Sequence, residues 1–444
     1  MAGGLMQLVA YGAQDVYLTG SPKVTFFQAV YKRHTNFAME TIEQVVNGSA
    51  GDSARLSVTV ARNGDLIGEM YLELESNVRV VLSQNGNTTA TGSGEWVAER
   101  AVSDIELTIG GQRIDKHYQK WWRLYSELYL DEAKRVQYGK MTSSSVVGGD
   151  GTKNKVYLPL VFFFNRNPGL YLPLIALQYH EVRLDITLSA SYSKYFSTNG
   201  SVNSTKVWGN YVYLDTEERR RFAQKGHEYL IEQVQHTGVD TVEAQGTKQV
   251  RLSYNHPVKE LVWCFSSTGT AANGNDLWDT TATTRNLVQM ATGTAGLTAA
   301  DLSNCLVSPN ACGAPMLFQN KVNSNVWLEE APVGATHPVG PLSTFKLILN
   351  GQDRFKEQSG KYFNQVQPFY HHSGNPYPGI YSYSFALKPE EHQPTGTCNF
   401  SRIDNAQVEV VEKTSATVTN MHMFAVNYNV LRIQSGMGGL AFSN

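Results

Sequence analysis

Apolar and polar residues alternate in short runs along most of this chain, the period-two pattern of strands that bury one face. The first set of runs is Phe37 to Val46, Arg55 to Ala61, Leu66 to Glu75, Ile105 to Ile114, Val156 to Asn165, His180 to Leu188 and Lys206 to Leu214. A second set follows: Glu228 to Gln235, Gln249 to Tyr254, Glu260 to Phe265, Phe345 to Asn350, Ile380 to Leu387, Gln407 to Glu412 and Met421 to Ile433, the last long enough to be bent into two. Val, Ile, Thr and Tyr are frequent in them, and these suit a pleated, half-buried surface. Helical spacing is confined to a few places. Ser21-Pro22 opens a short helix with Phe27, Val30 and Tyr31 on one face. The stretch KWWRLYSELYLDEAKR puts Trp121, Trp122, Tyr125, Leu128 and Tyr129 on a single stripe, which predicts packing against a sheet edge. Tyr211 to Gln235 reads as strand, short helix and strand. Asp215 or Thr216 caps that helix and Lys225-Gly226 ends it, so the stretch bridges two β-rich halves.

The halves resemble each other internally. SVTVARNGDLIGEMYLEL (Ser57 to Leu74) matches KQVRLSYNHPVKELVWCF (Lys248 to Phe265), two apolar runs around a turn built on Asn63 in one and Asn255 in the other. IELTIGGQRIDK (Ile105 to Lys116) matches FKLILNGQDRFK (Phe345 to Lys356), which pairs Gly111 with Gly351 at a second turn. Order is kept, and the extra residues of the second half fall between Phe265 and Phe345, where Gly, Ser, Thr, Asn and Ala dominate as in a long surface loop. Short antiparallel strands, about eight to a half, with long loops at their ends, predict two consecutive eight-stranded jelly-roll sandwiches in an all-β protein with short helices in the connections. The expected division is an N-terminal segment 1–25, a first jelly roll 26–214, a linker helix 215–226 and a second jelly roll 227–444.

A chain of 444 residues is long enough for two such domains. With 41% hydrophobic and 17% charged residues it has the composition of a globular protein, and a formal charge of −2 gives no basic face for packed nucleic acid. Arg219, Arg220 and Arg221 read as a solvated helix face. Cys264, Cys305, Cys312 and Cys398 show no metal-ligand spacing and suit a reducing compartment. The N-terminus lacks the pattern of a signal peptide, and the strongest apolar run, VYLPLVFFF, is too short to cross a bilayer.

Few motifs carry chemistry. Gly436-Met437-Gly438-Gly439 has no helix after it and cannot be a dinucleotide loop, and Gly148 to Lys153 lacks phosphate-loop spacing. His180-Glu181 has no second histidine at zinc spacing, and His371, His372 and His392 lack the His-x-His-plus-carboxylate strand of jelly-roll oxygenases. The pairs Glu217/Glu218, Glu329/Glu330 and Glu390/Glu391 read as solvated surface. No catalytic residue, metal site or cofactor site is assigned, and the expectation is a binding or structural protein. Sequons occur at Asn47, Asn87, Asn199, Asn203 and Asn399; Asn87, Asn199 and Asn203 lie in polar loops and are the candidate glycosylation sites.

MAGGLMQLVAYGAQDVYLTGSPKVTFF, YKRHTNFAMETIEQ, IGGQRIDKHY, LPLVFFFNRNPGLYLPLIALQYHEVRL, LNGQDRF, FALKPEEHQPTGTCNFSRIDNA and NYNVLRIQSGMGGLAF resemble the major capsid proteins of nucleocytoplasmic large DNA viruses, the chlorovirus and mimivirus-like branch. The resemblance spans nearly the whole chain. It implies a non-enzymatic double jelly roll whose homotrimer forms a capsomer of pseudo-hexagonal outline that tiles an icosahedral shell. The implied partners are neighbouring capsomers and minor capsid proteins, with an inner membrane nearby but not spanned and no direct nucleic acid. The implied location is the virion, after assembly in the host cytoplasm. The alternative from another class is a jelly-roll carbohydrate-binding protein or glycoside hydrolase that works through its outer loops.

Overall fold

The computed structural model describes Ala13, Phe27 and residues 35–77, 96–143, 153–190, 192–196, 204–242, 246–266, 340–376, 379–412 and 420–442. Two compact units divide the chain, Met1–Phe37 and Ala38–Asn444. Nearly all of the first lies outside the described residues, and so does the expected helix at Ser21. Both β-rich halves lie in the second.

The main strands of the first half are β1 (Phe37–Gln44), β2 (Arg55–Thr59), β3 (Leu66–Asn77), β4 (Val102–Ile109), β5 (Gln112–Tyr118), β6 (Lys153–Pro159), β7 (Val182–Leu188) and β8 (Ser204–Leu214). They form two antiparallel sheets in the orders β1-β8-β3-β6 and β2-β7-β4-β5. The second half supplies β9 (His227–Gln235), β10 (Thr247–Leu252), β11 (Pro257–Ser266), β12 (Leu342–Leu349), β13 (Gln352–Asp353), β14 (Ile380–Ser384), β15 (Ala406–Glu412) and β16 (Asn420–Gln434). Their orders are β9-β16-β11-β14 and β10-β15-β12-β13. Adding eight to each strand number of the first half gives the second. Both are jelly rolls.

Period-two patterning turns into packing where the sheets of each sandwich face one another. In the first, Met70, Leu72 and Leu74 of β3 and Val156 and Leu158 of β6 are buried with Leu56 and Val58 of β2 and Leu184 and Ile186 of β7 in one cluster. In the second, Trp263 of β11 stacks on Phe345 of β12 at 4.4 Å between ring centroids, joining its two sheets. Such a pair adds about 0.5–1.5 kcal/mol beyond its area.

Helices occupy the connections. Those used below are α1 (Gln119–Leu128), α2 (Glu132–Thr142), α3 (Phe163–Arg166), α4 (Thr216–Gln224), which begins right after β8, and α5 (Gln367–His371), which continues a π-helix at Tyr362–Val366. Asp215 caps α4, accepting from the Thr216 N–H at 2.8 Å.

Four departures from the sequence reading change an element. The single strand expected over Ile105 to Ile114 is a hairpin, because Gly110 and Gly111 take φ of 58° and 81° and reverse the chain. The strand expected over Val156 to Asn165 ends at Pro159, and its phenylalanine run becomes α3, in which Asn165 bonds the Phe162 N–H and the Gly68 carbonyl. The long helix expected from Lys120 onward is two, since Asp131 caps a new start by accepting from Lys134 N–H at 2.8 Å. The strand over Met421 to Ile433 is continuous, and a hairpin at Ser435-Gly436 (φ 54° and 80°) returns the chain as β17 (Met437–Leu440).

Gly351 has φ 78°, follows Asn350 at φ 50°, and has open space where a side chain would stand. Only the backbone conformation requires glycine there. Gly351→Val should therefore destabilise the protein by about 1–2 kcal/mol, and Gly351→Asn by much less. Guanidinium unfolding midpoints of the three proteins check this.

Candidate functional site

The two sandwiches meet in a seam made largely of one aromatic helix and one sheet face. Helix α1 buries Trp121, and this ring lies 5.8 Å from Phe424 of β16. His236, after β9, stacks on Phe424 at 4.4 Å and receives the edge of Tyr118 at 5.0 Å. Tyr129, just past α1, meets the His372 ring at 5.2 Å. The aromatic stripe thus packs on the outer face of the β9-β16-β11-β14 sheet, where Val262, Cys264, Phe424 and Val426 join the core cluster of the first half. Burial pushes the Cys264 thiol up to about 11 and, with Lys120 beside it, pushes His422 down to about 3.

Backbone groups fix the register of the seam. Gly374 N–H donates to the Leu128 carbonyl at 2.9 Å, and Arg135 donates to the Asn375 carbonyl at 2.7 Å. Val234 N–H donates to Asp115 at 3.0 Å, and the Gln233 side chain donates to the Ile114 carbonyl. At another corner His180 Nδ1 lies 2.9 Å from the Gly438 carbonyl, and Gln112 accepts from Leu440 N–H at 3.1 Å. The Gly-Met-Gly-Gly run is therefore a hairpin packed on the first sandwich.

Charges are buried here in pairs. Glu232 of β9 meets Arg166 of α3 at 2.9 Å and the wholly buried Lys259 of β11 at 2.7 Å. Burial alone would raise the Glu232 carboxyl, but Arg166 and Lys259 hold it below its ordinary value. Burial lowers the Lys259 ammonium, which also donates to the Pro389 carbonyl at 2.6 Å. His372, with no exposed side-chain surface, stands 3.1 Å from Glu260 and 3.4 Å from Glu390. Burial opposes its charge, yet the two carboxylates raise it to about 9.

These groups join parts of the fold and do not converge on a reacting centre. Among the described residues no group of three or more His, Cys, Asp or Glu could hold a metal. His371 is turned to the Leu387 carbonyl at 3.1 Å, so the histidine trio is divided. An open groove of about 540 Å³ lies on the first sandwich, lined by Tyr71, Tyr125, Tyr157, Glu69 and Arg166 among others.

Asn63 and Asn255 lie exposed in the β2–β3 and β10–β11 connections. The left-handed residue there is His256 (φ 66°), and neither asparagine has positive φ. Gly111 and Gly351 occupy the β4–β5 and β12–β13 hairpin turns. Asn87, Asn199 and Asn203 lie outside the described residues. Asn47 is exposed in a short strand, Val46–Asn47, and Asn399 is exposed and accepts from Ser401 N–H. The sequence reading missed the Glu232 and His372 pairs because nothing in a linear run marks a carboxylate for burial.

Two family models match the chain in succession: major capsid protein N-terminus over residues 25–215, and large eukaryotic DNA virus major capsid protein over residues 218–439. The chain belongs to the major capsid proteins of large eukaryotic DNA viruses. It is 43% identical to the major capsid protein of Paramecium bursaria Chlorella virus 1 and 39% identical to that of Pyramimonas orientalis virus, over all of both chains in each case. A quasi-atomic model of the PBCV-1 virus capsid matches with a TM-score of 0.75 and 37% identity, covering 95% of this chain and 100% of that one. The Faustovirus major capsid protein matches with a TM-score of 0.67 at 13% identity, covering 97% of this chain and 96% of that one, a likeness of fold alone. This capsid protein is a structural component of the virion, and the carbohydrate-binding or hydrolase alternative is set aside.

Two outcomes follow for the seam. Glu232→Ala leaves Lys259 buried without its carboxylate and should cost about 3–5 kcal/mol, read as a lowered thermal midpoint. The His372 ion pairs contribute fully below about pH 6.5, the ordinary histidine value, and their contribution is lost as pH rises through about 9. Stability measured from pH 6 to 10 should fall over that window, and less so in His372→Gln.

Proposed function

We propose that this capsid protein closes into a homotrimer with a pseudo-hexagonal outline, the capsomer that tiles an icosahedral shell. The observation that carries the reading is the repeated strand order, β1–β8 and β9–β16, in two sandwiches fused through a buried seam. Three copies of such a chain offer six similar sandwiches, and closed three-fold symmetry arranges them about one axis. The division into 1–25, 26–214, 215–226 and 227–444 belongs to this reading. It is supported by the described strands, which pair within their own half, and by α4 between the halves. Asn63 and Asn255, and Gly111 and Gly351, are then equivalent positions of a duplicated unit.

The same reading assigns neighbouring capsomers and minor capsid proteins as partners, with an inner membrane nearby and no direct nucleic acid. Assembly takes place in the host cytoplasm. Asn87, Asn199 and Asn203 are the proposed glycan carriers, to be read by peptide mass analysis of virion-derived protein.

Light scattering of the purified protein should give three times the 49.2 kDa chain mass. A single-chain mass at micromolar concentration would sink the trimer. The segment Met1 to Gly20, with Leu5, Leu8, Val9, Tyr11 and Leu18, is proposed to serve partners at the base of the capsomer. Its deletion should leave a folded trimer that assembles shells poorly, as seen by electron microscopy. A deletion protein that fails to fold would make the segment part of the first sandwich.

A further inference from the structure

The seam inside the chain serves as a template for a junction between chains. In a ring of six sandwiches each one meets two neighbours, so the first sandwich of one copy must meet the second sandwich of the next; this rests on the trimer reading. Within the chain, the first sandwich contributes two connections to the seam. One follows its fifth strand and carries α1 with Trp121, Tyr125 and Tyr129; the other follows its sixth strand and carries Arg166. The second sandwich receives them on the outer face of β9-β16-β11-β14.

The same two connections in the second sandwich carry exposed apolar side chains. The one after β13 carries the π-helix and α5, and there Phe369 is 79% and Tyr370 72% exposed. The one after β14 carries Leu387 at 75% exposure. An adjacent aromatic pair and a leucine, all exposed, offer apolar surface to a partner. They are also held rigidly. The ion pairs of His372 with Glu260 and Glu390 begin one residue after α5, and His371 ties α5 to the Leu387 carbonyl. A preorganised aromatic anchor of this kind is what interface centres use.

The receiving face has its counterpart as well. Ile42-Glu43-Gln44-Val45 of the first half repeats Ile231-Glu232-Gln233-Val234 of the second residue for residue, so Glu43 stands in β1 where the buried Glu232 stands in β9. Glu43 is exposed and pairs with Lys206 at 3.2 Å. On the outer face of the β1-β8-β3-β6 sheet, Tyr71, Tyr157 and Trp208 are half-buried among carboxylates, and the open groove runs along Tyr71 and Tyr157.

We propose that Phe369, Tyr370 and Leu387 of one copy dock on the outer face of β3, β6 and β8 in the next copy, around Tyr71, Tyr157 and Trp208. The occupant is a second copy of this chain because the contact continues, around the ring, the interface already made within the chain. Head-to-tail surfaces of this kind close into a ring without being self-complementary. The receiving face is more polar than its counterpart in the seam, as suits a junction made after folding and not during it.

Two double variants test this by light scattering: Phe369→Asp with Tyr370→Asp on one surface, and Tyr71→Asp with Tyr157→Asp on the other. Each alone should fall threefold in mass, to a single chain, with an unchanged circular dichroism spectrum. Mixed in equal amounts they should form two-chain species, because one junction between them is intact. A trimer that survives Phe369→Asp with Tyr370→Asp overturns the assignment and leaves the trimer reading standing. A mixture that stays single-chain overturns the pairing of these two surfaces. A wild-type protein that is itself a single chain overturns the trimer reading and this assignment together.

Discussion

One sheet of this protein, β9-β16-β11-β14, is buried on both faces, and much of the remaining architecture follows from that constraint. Its inner face carries Leu261, Trp263, Met423 and Ala425 into the core of the second sandwich. Its outer face carries Val262, Cys264, Phe424 and Val426 into the core of the first. A strand buried on both sides cannot alternate in polarity. Strand β11 is accordingly almost continuously buried from Val258 to Ser266, whereas its counterpart β3 places Glu69, Tyr71, Glu73 and Glu75 on the outward side.

Double burial also dictates the electrostatics. Lys259, Glu232, Glu260 and His372 sit where an isolated charge would be costly, so each is paired, and each pair ties segments distant in sequence. Hydrophobic area supplies the affinity between the sandwiches, and the pair of Arg166 with Glu232, which crosses between them, favours one arrangement, since a shift would leave a buried charge without its partner. For a shell protein this matters mechanically. A chain that hinged between its halves could not hold its two sandwiches at a fixed angle.

The same fold is thus used twice with different outer faces. In the second half the receiving sheet is apolar and covered by the chain's own α1. In the first half it is an aromatic and acidic face, still open. The strand order is the same in both halves, yet one outer face is closed within the chain and the other is not.

The sequence by itself determined the all-β class and most of the strands, because period-two alternation acts locally, though it did not separate the hairpin at Gly110-Gly111 from a single strand. It also carried the family, through long runs such as those around Gly111 and at the C-terminal hairpin. Only the tertiary structure decided that the phenylalanine run at Phe162 to Phe164 turns helical, since Asn165 completes that turn by bonding the Gly68 carbonyl of another strand. Only it decided which of many glutamates are buried: Glu232 and Glu43 share the same four-residue context, yet one is sealed in a seam and the other is in water. Burial is a property of what lies across the space from a residue, and that neighbour comes from a distant part of the chain.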